Sequence, residues 1–284
     1  MCRFVAYLGP RIPLASLLTE PRNSLIRQST HAVERSEPLN GDGFGLAWYD
    51  PSVGERPGLF RSTTPAWSNE NLLDLARMVS THCLLAHVRA ASHASAVTEL
   101  NCHPFRHGRY TFMHNGELGG FPRLRRALLT SLSDDSFGLI RGSTDSEHLF
   151  ALFLDSLPRR DVQLEPEVLA DALRTTVGRA LELAATHGGG EPSALNLAVA
   201  DGRSVVTCRY TDETDDPGES LYLHTGYRYV CVDGMCRMID PETEGGAAIV
   251  SSERLSDDDG WRAIPRNHLA VLETGGTARL EAMS

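Results

Sequence analysis

The sequence predicts an α+β fold in which two β-sheets pack face to face and helices cover the outside. Three observations carry that reading. Strand-like segments crowd the first and last thirds of the chain, two long helical patterns lie between them, and no linker or repeat divides the 284 residues. That length suffices for one sizeable buried core. A single domain spanning residues 1–284 is expected.

The elements follow in order. A strand is expected from Cys2 to Leu8, at the start of the chain. The turn Asn40-Gly41-Asp42-Gly43-Phe44-Gly45 feeds a second, Leu46 to Tyr49. Leu72, Leu73, Leu75, Ala76 and Val79 recur at helical spacing, and strands are expected from Cys83 to Arg89 and from Tyr110 to His114. Ser143 and Thr144 suit the cap of a helix from Asp145 to Leu157, closed by Pro158. A longer helix is expected from about Pro166 to Thr186, stopping before Gly188-Gly189-Gly190. Further strands are expected near Leu195–Ala200, Ser204–Tyr210, Leu221–His224, Ala247–Ser251 and Leu269–Glu273.

Composition removes several classes of function. Hydrophobic residues make up 41% and charged residues 23%, an ordinary balance for a soluble protein. No run approaches the roughly 18 apolar residues of a membrane span, and the apolar part of the N-terminus is too short for a signal peptide. Cytoplasmic residence without membrane association is therefore expected. The formal net charge is −10 and every basic residue is Arg, scattered rather than massed, which argues against nucleic-acid binding. The six cysteines form no repeating pattern and read as free thiols. Cys231 and Cys236 lack a second pair or a His at zinc spacing, so strand thiols are expected there and no metal site.

Five short motifs carry chemistry. Removal of Met1 would leave Cys2 with a thiol and a free α-amine on one residue. An α-amine titrates near 7.7–8.0 and a thiol near 8.5, so the amine can act as base for its own nucleophile. His87-Val88-Arg89 ends an apolar strand, where an Arg suits two-pronged carboxylate capture; a surface ion pair is the plain alternative. The small-residue turn Ala90-Ala91-Ser92-His93 follows. Asn101-Cys102-His103-Pro104-Phe105 comes next, then His114-Asn115-Gly116-Glu117. Asn115-Gly116 offers a side-chain amide beside a backbone N–H, the parts of an oxyanion hole, but is also a common hairpin turn. Gly142-Ser143-Thr144-Asp145-Ser146-Glu147 sets an acid at a helix start, where capping is the alternative role.

In this order the motifs resemble the class II glutamine amidotransferases, N-terminal-nucleophile enzymes with a four-layer αββα fold. The resemblance implies Cys2 as nucleophile, Arg89 as clamp on the substrate α-carboxylate, Asn115 and Gly116 as oxyanion hole, and Asp145 as holder of the α-ammonium. It places Ser92 and His93 in the carboxylate pocket and makes His103 and His114 structural. Ser193–Gly202, Val250-Ser251-Ser252-Glu253-Arg254-Leu255, Trp261 and Ile264-Pro265 resemble one stand-alone subgroup, which includes the γ-glutamyl-hercynylcysteine sulfoxide amidohydrolase of ergothioneine biosynthesis. The implied partner is a small γ-glutamyl substrate, with no metal or organic cofactor and a homo-oligomer left open. The alternative is a glutaminase subunit serving a separate synthase. Asn40–Gly43, Trp48, Trp67 and the Ser251-Ser252-Glu253 strand end are candidates for contacts beyond the scissile bond.

Overall fold

The structure, a computed structural model, describes residues 2–34, 39–91, 96–158, 165–215, 217–239 and 246–283. The chain opens with β1 (Arg3–Pro13), short helices α1 (Ala15–Leu18) and α2 (Leu25–Thr30), strands β2 (Phe44–Trp48) and β3 (Gly58–Ser62), helix α3 (Glu70–Met78) and β4 (Ser80–Val88). Strands β5 (Phe105–His107) and β6 (Tyr110–Glu117) follow, then helices α4 (Phe121–Ser131), α5 (Asp134–Phe137), α6 (Asp145–Ser156) and α7 (Pro166–His187). The last third holds β7 (Ala194–Ala200), β8 (Ser204–Thr211), β9 (Tyr222–Gly226), β10 (Arg228–Val232), β11 (Met235–Ile239), β12 (Ala247–Ser251), β13 (Arg262–Ala263), β14 (His268–Glu273) and β15 (Ala278–Ala282).

The strands form two antiparallel sheets, ordered β13-β9-β12-β1-β4-β2-β3 and β15-β14-β8-β7-β6-β5, besides the β10–β11 ribbon. Successive side chains of a strand point to opposite faces, and both sheets use both faces. Phe4, Ala6, Leu8, Cys83, Leu85, Ala248 and Val250 of the first sheet meet Met113, Ala198, Ala200, Ala270 and Leu272 of the second. The intervening residues Val5, Tyr7, Leu84, Ala86 and Ile249 face outward onto apolar residues of α1, α2 and α3. On the other side Phe112, Leu195, Leu197, Val199 and Val271 pack under α4, α6 and α7. Three apolar layers between four layers of structure make an αββα sandwich.

Several elements went unforeseen for physical reasons. Helix α4 buries only Leu124 and Leu128 among its arginines, too narrow a stripe to stand out. Edge strands β3 and β5 are short and only partly buried. The expectation of free thiols at Cys231 and Cys236 is corrected: they form a disulfide. Asp233 and Gly234 both take positive φ, of 51° and 79°, the mirror-image two-residue turn that suits right-twisted strands. That turn sets Cys231 directly opposite Cys236. Among the described residues no helix is long and apolar enough to cross a membrane.

Candidate active site

The site forms where β1 begins, β4 and β6 end and α6 starts. The β1–β4 register pairs Arg3 with Val88, so Cys2 stands level with Arg89. The Cys2 thiol lies 3.5 Å from the carbonyl oxygen of Ala90, the residue after Arg89. Met1 lies outside the described residues, as do Ser92 and His93.

Arg89 is only 3% exposed. Its N–H donates to the Gly43 carbonyl (2.8 Å), while its own carbonyl accepts from Asp42 N–H (2.9 Å). The Asp42 carboxylate takes the Ala91 N–H at 2.8 Å, so the glycine-rich loop before β2 braces the turn after Arg89 from both sides. Arg89 also donates through Nη1 to the Ala96 carbonyl at 3.4 Å.

Asn115 and Gly116 do not form a hairpin turn. Strand β6 runs on to Glu117, pairing Asn115 with Asn196 and Gly116 with Leu195 of β7. Gly116 sits at φ 146°, where a Cβ would run into the Ala194 carbonyl oxygen, so glycine is required. The Asn115 side chain is fully buried, and neither its oxygen nor its nitrogen has a hydrogen-bond partner among the described residues. A buried amide left unpaired costs about 1–3 kcal/mol, and such groups call for an explanation.

Asp145 is the first residue of α6. The cap is Thr144, whose hydroxyl accepts from Glu147 N–H. Asp145 accepts from Leu118 N–H (2.9 Å) with one carboxylate oxygen and from Ser146 N–H (2.7 Å) with the other, tying the end of β6 to the helix. Burial, and then the Asp145 and Glu191 carboxylates, push the Glu117 carboxyl above its ordinary range, so this corner favours positive charge.

Buried histidines join these pieces. His87, two residues before Arg89, lies 3.1 Å from the His114 carbonyl oxygen, linking β4 to β6 across the sandwich. His114 Nδ1 is 3.0 Å from the Ser146 hydroxyl. His103 lies against His87, with ring centroids 4.2 Å apart and planes tilted by 40°. Burial pushes His87 down to about 3 and also lowers His103 and His114, in His114 against the opposing pull of Asp145. These rings are neutral near pH 7, as befits structural parts.

In the unfolded chain these histidines titrate near 6.5, so between there and about 3 the unfolded state binds more protons. Stability is fully present above about pH 6.5 and is lost as pH falls toward the folded-state values. The melting temperature should fall from pH 6.5 to 5, above the range in which most carboxylates titrate, and His103→Phe should make the decline shallower. Equal slopes in the two proteins would contradict this.

One network escaped the sequence reading. Arg3, fully buried, donates from Nε to Glu253 (2.9 Å) and from Nη1 to Glu219 (2.9 Å) and to the Cys2 carbonyl (2.9 Å). Glu253 also accepts the N–H groups of Val33 and Glu34. A charged residue beside Cys2, at the head of the apolar run Phe4 to Leu8, was the available signal. The Ser251-Ser252-Glu253 strand end is tied into the fold: all three are buried, the Ser252 hydroxyl accepts from Phe4 N–H, and Glu253 pairs with Arg3. Trp48 likewise packs into the outer core against Gly58. Trp67 is 39% exposed and lies against Gly41, next to the Asp42 brace.

Comparison with known proteins agrees with this architecture. The family model for class-II glutamine amidotransferases matches residues 29–284. The chain is 37% identical to "Probable glutamine amidotransferase DUG3" of Saccharomyces cerevisiae, over 96% of this chain and 82% of that protein. It is 28% identical to the "Gamma-glutamyl-hercynylcysteine sulfoxide hydrolase" of Mycolicibacterium smegmatis, over 95% and 94% of the two chains. The solved structure of a glutamine aminotransferase class-II domain protein from Silicibacter pomeroyi superposes with a TM-score of 0.67 at 28% identity, covering 100% of both chains. The glutamine phosphoribosylpyrophosphate amidotransferase of B. subtilis, at 16% identity and a TM-score of 0.60, shares the fold over 49% of its length. With the sandwich and the model match over most of its length, the chain belongs to the class-II glutamine amidotransferases.

Proposed function

We propose that this protein hydrolyses a γ-glutamyl amide, with Cys2 as an N-terminal nucleophile freed by removal of Met1. The observation that carries the reading is the buried amide of Asn115 beside Gly116, which has no hydrogen-bond partner among the described residues. A donor kept unsatisfied in the free enzyme and aimed where negative charge develops is what an oxyanion hole requires. The thiolate attacks the γ-carbonyl, the Asn115 side chain and the Gly116 N–H hold the oxyanion, and the α-ammonium of Cys2 protonates the leaving amine. Water then releases glutamate from the thioester. Arg89 grips the α-carboxylate, and Asp145, in its acidic corner, holds the α-ammonium.

Asn115→Ala separates a catalytic from a structural role. Loss of one oxyanion donor typically costs about 2.7–4 kcal/mol of barrier, or 10²–10³ in kcat. Removing an unpaired buried amide should leave the melting temperature unchanged or raised. Lowered stability with near-normal kcat would contradict the assignment. Arg89→Lys should raise KM at least about tenfold for every γ-glutamyl substrate alike, because Lys lacks the planar fork. An unchanged KM would place the glutamyl end elsewhere.

For the amine side of the bond, we propose a large γ-glutamyl conjugate rather than free glutamine. γ-Glutamyl-hercynylcysteine sulfoxide is the specific candidate, from the likeness to the mycobacterial hydrolases. Trp67 offers an aromatic face that suits its trimethylammonium. The higher identity to the yeast probable glutamine amidotransferase favours a second reading, a glutaminase subunit passing ammonia to a synthase partner. Glutamate release from glutamine and from several γ-glutamyl conjugates, measured on one preparation, separates the two. At least about a tenfold preference in kcat/KM for a conjugate, roughly 1.4 kcal/mol, supports the hydrolase. Equal or better use of glutamine, with ammonia captured by a co-purifying synthase, supports the second.

A further inference from the structure

A cavity of about 320 Å³ opens at the edge of the sandwich, between edge strands β3 and β5 and under α6, and four arginines line it: Arg56, Arg61, Arg106 and Arg141. Its apolar wall includes Leu59, Phe105, Phe150, Ala151 and Leu154. None of Cys2, Arg89, Asn115 or Asp145 lines it.

Four arginines share this lining with a single carboxylate, Glu147. Elsewhere Arg3, Arg109, Arg123, Arg174 and Arg179 each have a carboxylate within ion-pair distance. Among the described residues no carboxylate forms an ion pair with any of the four cavity arginines. Arg61 donates to the Cys102 carbonyl (3.2 Å) and Arg106 to the Pro57 carbonyl (2.8 Å), each spending one of its five N–H donors. Burial, then the charges of Arg56 and Arg61, pull the Arg106 guanidinium below its ordinary value. The one carboxylate in the lining, Glu147, is occupied by the N–H groups of Arg141 and Gly142. Four like charges thus face a single carboxylate, itself held by backbone N–H groups, beside an apolar wall, an arrangement that an anion with an apolar body would relieve on both counts.

We propose that this cavity is a binding site for a small organic oxyanion, a phosphate or carboxylate joined to an apolar group. Arg61 and Arg106 hold the anion, Arg56 and Arg141 guard the rim, and Phe105, Phe150 and Leu154 receive the apolar part. The inference is independent of the reaction proposed for Cys2.

Calorimetric titration of the full-length Cys2→Ala chain with phenyl phosphate, phenylacetate and inorganic phosphate tests it. One equivalent of phenyl phosphate or phenylacetate should bind at least about ten times more tightly than inorganic phosphate, and the tighter of the two assigns the anion. Arg61→Gln with Arg106→Gln should weaken binding at least about tenfold. Arg56→Gln with Arg141→Gln, on exposed residues that the fold does not need, should weaken it several-fold and serves if the first pair fails to fold. Absence of binding at millimolar probe, unchanged affinity in the variants that fold, or displacement of the probe by glutamate would each overturn the proposal.

Discussion

Cys2→Ala should lower glutamate release by on the order of a thousandfold or more while leaving the fold intact. Loss of a covalent nucleophile removes the reaction path and not merely one contact of the transition state, and effects of that size are typical of such residues. The fold should survive because Cys2 is only partly buried and its thiol lies a long 3.5 Å from the Ala90 carbonyl. The backbone that Arg3 holds through the Cys2 carbonyl is unchanged by the substitution. Retention of more than about a tenth of wild-type turnover would exclude covalent catalysis by this residue.

Arg3→Met should destabilise the protein by about 3–5 kcal/mol, the cost of breaking a buried ion pair from one side. Glu253 is fully buried and Glu219 only 16% exposed, so neither can recover its lost partner by turning to water. Because Arg3 also fixes the Cys2 carbonyl, kcat should fall even at temperatures where the variant remains folded. Adding Glu253→Gln should recover part of the stability, since a neutral amide tolerates the pocket better than an unpaired charge, yet should not recover kcat. Denaturant unfolding of the single and double variants checks this. A loss under about 1 kcal/mol would show the network to be marginal.

The apolar run Phe4 to Leu8 made the first half of β1 legible, because a strand buried on both faces reads as a continuous apolar run, whereas its continuation through Gly9-Pro10-Arg11 to Pro13 was not foreseen. The long helices α6 and α7 were legible to within a residue or so through Thr144, Pro158 and the glycines after His187. Cys2, Arg89, Asn115 and Asp145 could be singled out because short motifs keep their chemistry in local order. What stayed hidden depends on distant partners. Asn115-Gly116 looks like a turn until β7, roughly 80 residues on, pairs with it. Arg3 finds Glu253 across 250 positions, and nothing local marks Glu253 as structural rather than substrate-facing. Cys231 and Cys236 were readable in principle, since the Asp233-Gly234 turn between them is a local hairpin signal that outweighs the missing zinc ligands.

The central claim is that the chain reacts through the thiol of an N-terminal Cys2. Rapid acid quenching during turnover of a γ-glutamyl substrate, followed by peptide mass mapping, tests it most directly. The account predicts a peptide that begins at Cys2, without Met1, and carries one γ-glutamyl group on that thiol. A γ-glutamyl group on any other residue, or full turnover by protein that retains Met1, would contradict it.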